Sequence, residues 1–85
     1  MTVEEKIRKF ILDNYLYTDD QSKLKDDESF LEKGIIDSTG VLEVISFLET
    51  DFGVTVTDEE MIPENLDSVR NLAAYINAKR ANTGP

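Results

Sequence analysis

Few side chains in this sequence could do chemistry. Among its 85 residues there is no histidine and no cysteine. That excludes a histidine-based triad, a cysteine nucleophile, a CxxC redox pair and a Cys/His zinc site. What remains is hydroxyls, carboxylates, lysines and tyrosines. Two Asp-Ser pairs stand out, Asp37-Ser38 and Asp67-Ser68, each placed just before an apolar, helix-like run. A serine at such a junction has two possible uses. It can cap the helix by accepting a hydrogen bond from a free backbone N–H. It can also accept a phosphate ester, since unpaired N–H groups and the positive end of the helix dipole favour an anion there. With no base beyond the neighbouring carboxylate, neither serine activates itself, so a modified serine would be an acceptor served by another enzyme.

The two pairs differ in the residues on their C-terminal side. After Ser38 comes Gly40, in what would be the first helical turn, where glycine costs about 1 kcal/mol relative to alanine. The loss suggests that something approaches the backbone closely. Ser38, Leu42 and Ser46 recur every four residues on one face, which points outward if Ile45, Leu48 and Phe52 face the core. Ser68 has no such sequel, and Arg70 comes two residues after it. The expectation is that Ser68 is a helix cap.

Charge narrows the partners. There are 18 acids against 9 bases, a net charge of -9. Between Lys33 and Arg70 lie nine acids and no base, so the whole excess sits in this middle segment. A helix kept soluble for its own sake would mix signs, because Glu/Lys pairs one turn apart stabilise it. A single-sign face gives up those pairs and fits a docking surface for basic proteins. It does not fit nucleic acid or anionic membrane, both of which need a basic surface. No run approaches the ~20 apolar residues of a membrane span, and residues 1–20 lack the order of a signal peptide. A cytoplasmic monomer is expected. Asp58-Glu59-Glu60 and residues 19–32 are rich in acids, but no window has the glycine and spacing of a calcium loop. No metal site is expected.

The elements that must position these residues can be read from the periodicity. Thr2 caps a first helix over about 2–16, with Val3, Ile7, Phe10 and Ile11 on its apolar face. Residues 18–29 form a long polar loop whose single large apolar residue is Leu24, and Phe30, Leu31, Ile35 and Ile36 pin its far end. A second helix runs over about 38–52 and stops at Gly53. A short turn of helix over Asp58–Met61 is expected to end at Pro63, and a last helix comes after Ser68, with Lys79 and Arg80 in its final turn. This predicts an all-α, four-helix bundle with three main helices and one short one, and a long connection between the first two. One domain over residues 1–80 and a frayed tail from 81 to 85 are expected. The expected centre is Ile7, Phe10, Ile11, Ile36, Ile45, Leu48, Phe52, Leu66, Val69, Leu72 and Ile76.

The run Gly34-Ile35-Ile36-Asp37-Ser38-Thr39-Gly40, then Val41-Leu42-Glu43-Val44-Ile45-Ser46-Phe47-Leu48-Glu49 and Asp51-Phe52-Gly53, resembles an acyl carrier protein. The resemblance covers about residues 2–80. It implies that Ser38 carries a 4′-phosphopantetheine arm derived from CoA, whose thiol holds acyl or aminoacyl groups as thioesters. The second helix would then be a recognition helix, with Asp37, Thr39, Leu42, Glu43, Ser46 and Glu49 facing partners, extended by Glu59 and Glu60. Phe47 would border the acyl-binding cleft. The implied partners are a phosphopantetheinyl transferase, an acyl-loading ligase or synthase, and acyltransferases with basic docking surfaces. The implied role is that of a carrier, not an enzyme, in fatty-acid, polyketide or another dedicated acyl pathway. Two departures stand out. Thr39 replaces the leucine usual after the serine, and the stretch from Phe52 to Leu66 is longer than in typical fatty-acid carriers. The longer stretch leans towards a specialised, stand-alone carrier. The alternative is an acidic helical interaction module that never receives the arm. Thr39 would weaken an apolar contact with the arm or the modifying enzyme and is the best support for that alternative.

Overall fold

The structure is a computed structural model and describes residues 2–82. It is all-helical, with no strand among the described residues. Helix α1 spans Val3–Ile11, α2 Ser38–Phe52, α3 Pro63–Leu66 and α4 Val69–Asn82. Three long helices and one short one match the expected bundle.

Helix α1 starts with a reciprocal cap. Thr2 Oγ1 accepts from the Glu5 N–H, and Glu5 Oε1 accepts from the Thr2 N–H. Beyond Ile11 the coil continues to Leu16, but as a wider π turn over Leu12–Leu16, closed by Tyr17 in the left-handed conformation. The expected single helix over 2–16 is therefore two geometries in series, and the change of pitch buries Leu12.

The long loop is held at three levels. Arg8 spans it from α1, bonding Asp26 at 2.7 Å and Gln21 through both its side-chain and main-chain oxygens. Leu24 and Phe30 are buried in the core. Asp67 ties down the far end, accepting from the Ser29 hydroxyl and from the Leu31 N–H at 3.0 Å, while its carbonyl accepts from Phe30 N–H. A polar sequence thus becomes an ordered strap, because its few apolar side chains and the bridging arginine are all used.

Pro63 begins a helix rather than ending one. Residues Asp58–Glu60 form a separate 3-10 turn, and Pro63 sits in the first turn of α3 after an extended Ile62. Proline suits that place: it has no N–H to leave unpaired, and it drives the residue before it into the extended region. At the other end of the chain α4 continues to Asn82, two residues past the expected end of the domain, and residues 83–85 lie outside the described residues.

Eight of the expected central residues are buried: Ile7, Ile11, Ile36, Leu48, Leu66, Val69, Leu72 and Ile76. Phe10, Ile45 and Phe52 are only half-buried and pack at the edge. The inward stripe of α2 is Gly40, Val44 and Leu48, one position before that expected from Ile45. The reason is the aromatic contact between α1 and α2. Phe10 stacks on Phe47 with ring centroids 4.1 Å apart, and Phe47 meets Phe52 edge-on at 5.6 Å. These three rings take the rim and leave the centre to smaller side chains.

Candidate functional site

The two Asp-Ser pairs are used in opposite ways. At the start of α4, Ser68 is the cap: its Oγ accepts from the Asn71 N–H at 3.0 Å, and the residue is buried. Its partner Asp67 reaches back to the loop. At the start of α2 the roles reverse. Asp37 is the cap, its Oδ1 accepting from the Gly40 N–H at 2.7 Å. Ser38 is the first helical residue and exposed, and its hydroxyl has no hydrogen-bond partner among the described residues. The capping role open to Ser38 in the sequence is thus filled by its neighbour. A carboxylate reaches the third N–H of a helix from the capping position, whereas a side chain inside the first turn points away from those groups.

Gly40 is where the backbone needs room, and the crowding comes from inside the protein. A Cβ at Gly40 would stand 2.8 Å from Ile36 Cγ2 and 3.4 Å from Tyr15 Cε1. Tyr15 comes from the π turn that continues α1. Its hydroxyl donates to Glu43 Oε2 at 2.9 Å, with the Gly40 carbonyl 3.3 Å away. Burial, and then the hydrogen bond to Glu43, push the Tyr15 phenol up to about 12.

Beside Ser38 lies an apolar cleft of about 200 Å³. Val41 and Val44 of α2 form one side, Phe30 and Ile36 the floor, and Met61, Ile62 and Leu66 the other side. Leu31, Met61 and Ile62 are exposed large apolar residues around it, and Leu42 is exposed on the outer face of α2. Exposed apolar side chains gathered near one polar hydroxyl mark a binding surface more than a random scatter does. The sequence pattern does not single out Met61 and Ile62. The one available signal is an apolar pair placed before a proline in an otherwise acidic stretch.

Phe47 is not part of this cleft. It lines a separate groove between α1 and α2, with Lys6, Phe10 and Thr50, and its ring is committed to Phe10. Asp37, Thr39, Leu42, Glu43, Ser46 and Glu49 are exposed on α2 or at its start. Glu49 also accepts from the Val56 N–H at 3.2 Å. Glu59 is exposed. Glu60 is different: it is half-buried and bonded to Lys79, Tyr75 and Thr57. The Lys79 ammonium, followed by the Thr57 N–H, holds its carboxyl down at about 2. That makes Glu60 a brace between the 3-10 turn and α4, rather than a free surface charge. No cluster of metal-ligating side chains is present among the described residues, and no helix there is long and apolar enough to cross a membrane.

A 4′-phosphopantetheine group fits these residues. It needs an accessible hydroxyl, a place where a phosphodiester is tolerated and a surface for its arm. The exposed, unpartnered Ser38 hydroxyl at a helix start, next to an apolar cleft, supplies all three.

Comparison with known proteins agrees. The family described as the phosphopantetheine attachment site matches residues 11–76. An acyl carrier protein of Akkermansia muciniphila is 36% identical over 75 residues, covering 88% of this chain and 89% of that protein. An acyl carrier protein of Nitratidesulfovibrio vulgaris strain Miyazaki F is 32% identical over 80 residues, covering 94% of this chain and 100% of that protein. Among solved structures, a chain described under "Crystal structure of FAD-dependent dehydrogenase" superposes with a TM-score of 0.71 at 31% identity, over 82% of this chain and 97% of that one. The chain belongs to the acyl carrier protein family, whose cofactor is a covalently attached 4′-phosphopantetheine.

Proposed function

We propose that Ser38 is the attachment residue and that the chain is a carrier without catalysis of its own. It holds acyl or aminoacyl groups as thioesters and shows them to enzymes that dock on α2. The observation that carries this is the contrast between the two serines: Ser38 exposed with a free hydroxyl, Ser68 buried and occupied as a cap.

The arm supplies a thiol at the end of a flexible tether. Everything else falls to the residues of this chain. Attachment forms a bond between Ser38 Oγ and the phosphorus of CoA's pantetheine phosphate, with 3′,5′-ADP as leaving group. The proton on Ser38 must go to the transferase. This chain has no histidine, and the Asp37 carboxylate is already engaged with the Gly40 N–H. Asp37 instead fixes the first turn of α2, so the hydroxyl is displayed from a rigid backbone. The apolar cleft beside Ser38 shelters part of the cargo or the arm from water. The exposed carboxylates of α2 favour enzymes with basic docking surfaces.

The pathway is one of fatty-acid, polyketide or other dedicated acyl chemistry. The solved chain similar to this one comes under the description of an FAD-dependent dehydrogenase, which supports an enzyme of that class as a candidate partner. The protein is proposed to be cytoplasmic and to work as a monomer.

The test is intact-mass measurement after incubation with CoA, Mg²⁺ and a broad-specificity phosphopantetheinyl transferase. One phosphopantetheine is expected on the parent and on Ser68→Ala, and none on a folded Ser38→Ala. Modification of Ser68 would refute the assignment. A parent chain left unmodified would favour the acidic interaction module instead.

A further inference from the structure

The π turn that ends α1 places one residue against the recognition helix, and neither the family match nor the sequence pattern assigns it a role. Tyr15 Oη lies 2.9 Å from Glu43 Oε2. A phenol has one proton to give. The Gly40 carbonyl at 3.3 Å is the poorer acceptor, so Glu43 receives it. The ring cannot drift away from this position. Phe10 meets it edge-on with centroids 5.9 Å apart, and Phe10 is itself stacked on Phe47. On the other side, Tyr15 Cε1 closes on the one residue of α2 without a side chain, Gly40.

Glu43 is exposed and lies five residues after Ser38 on α2. An exposed glutamate on a helix normally samples several rotamers, and a partner that binds it must freeze one. Here one rotamer is already selected by a rigid donor from another helix. A hydrogen bond whose acceptor is an exposed carboxylate adds little to folding stability. Its consequence falls on binding, where pre-ordering lowers the cost of association. Wide π turns recur at functional positions because they shift the residues they carry relative to a regular helix. Here the shift brings Tyr15 to α2.

We infer that Tyr15 is a positioning residue, holding the Glu43 carboxylate in the orientation that basic partner enzymes dock against. This rests on the reading of the chain as a carrier served through α2. Tyr15 does not line the cleft beside Ser38. It acts through Glu43.

The experiment is steady-state phosphopantetheinylation of the full chain by a transferase. Four forms are compared: the parent, Tyr15→Phe, Glu43→Ala and the double variant. Tyr15→Phe keeps the ring and removes only the hydroxyl. It should raise KM about 3-fold to 10-fold with kcat unchanged, as expected for a pre-ordered contact, and leave the melting temperature close to the parent. In the Glu43→Ala background the same substitution should change KM by less than about 2-fold, because its target is gone. An unchanged KM in Tyr15→Phe overturns the inference. So does an equal effect with and without Glu43, which would mark a purely structural residue. A second measurement stands apart from modification. The Tyr15 ring signal, titrated by NMR in the parent and in Glu43→Gln, should have a lower midpoint in the variant. If the parent chain is not modified at all, the assignment of Ser38 fails, and this titration still decides the pairing: an unchanged midpoint overturns it.

Discussion

Glu60 Oε1 lies 2.9 Å from the Lys79 ammonium, joining the 3-10 turn before α3 to the last helix. The Tyr75 hydroxyl and the Thr57 N–H donate to the same oxygen, each at 3.1 Å. Met61 and Ile62, which wall the cleft beside Ser38, come directly after Glu60 in the chain. The brace therefore fixes one side of the cleft.

The brace should be acid-labile. The Glu60 carboxyl is held at about 2, against 4.5 when free. A depressed folded-state value means that the unfolded chain binds the proton first as pH falls. The stabilisation is therefore present above about 4.5 and is lost as pH drops through about 2. Glu60→Gln should lower the melting temperature at neutral pH, and the gap to the parent should close towards pH 2. Thermal melts across that range check it. A constant gap would show that the charge on Glu60 is not what matters.

Asp37 and Ser38 should behave differently on truncation. Asp37→Ala removes the cap of α2 and should cost about 1 kcal/mol, a loss of roughly 4–8 °C in a domain of this size. Ser38→Ala removes an exposed hydroxyl with no partner and should stay within about 0.5 kcal/mol of the parent. Paired denaturant melts decide it, and equal losses would mean that Ser38 shares the capping.

Gly40→Ala sets two effects against each other. Helix propensity favours alanine by about 1 kcal/mol. The new Cβ would stand 2.8 Å from Ile36 Cγ2, and Ile36 is a buried side chain with a stiff χ1. Overpacking of this kind costs about 1–3 kcal/mol, so the net change should be destabilising. A rise in melting temperature would show that Ile36 and Tyr15 can give way.

Phe47→Ala separates the aromatic rim from the cleft. It removes the stack on Phe10 and the edge contact with Phe52, and should destabilise by about 3 kcal/mol. Phe47 does not line the cleft beside Ser38, so kcat for phosphopantetheinylation of the folded fraction should be unchanged. Any rise in KM should not exceed that of Tyr15→Phe, since Phe47 reaches the Tyr15–Glu43 pair through Phe10. Equilibrium melts and intact-mass time courses measure the two effects separately.

Much of the architecture is legible from local pattern. The period of apolar residues locates the long helices, and Gly53 ends α2 in the left-handed conformation as its place in the sequence suggests. Thr2 caps α1 and Ser68 caps α4, also in keeping with local pattern. The inward stripe of α2 is less legible. Val44 and Ile45 are both apolar, and the choice between them depends on what other elements bring to α2, including the stacking of Phe10 on Phe47. Pro63 reads as a stop although it also satisfies the rule for a start, and local rules support both readings equally.

The sequence by itself determined the chemistry open to this protein. A chain without histidine or cysteine has no histidine-based triad, no cysteine nucleophile and no Cys/His zinc site, and nine acids without a base between Lys33 and Arg70 favour docking to basic surfaces. The order of residues within 34–53 was enough to point to the family. Only the tertiary structure decided which serine hydroxyl is left without a partner among the described residues, which acid is a brace and which tyrosine faces α2. Those outcomes depend on groups far apart in the chain: Glu60 with Lys79, Tyr15 with Glu43, Asp67 with Ser29. Helix periodicity fixes which way a side chain points from its own axis. It carries no information on what the next helix brings to meet it, and that pairing sets which polar groups are satisfied and which stay available.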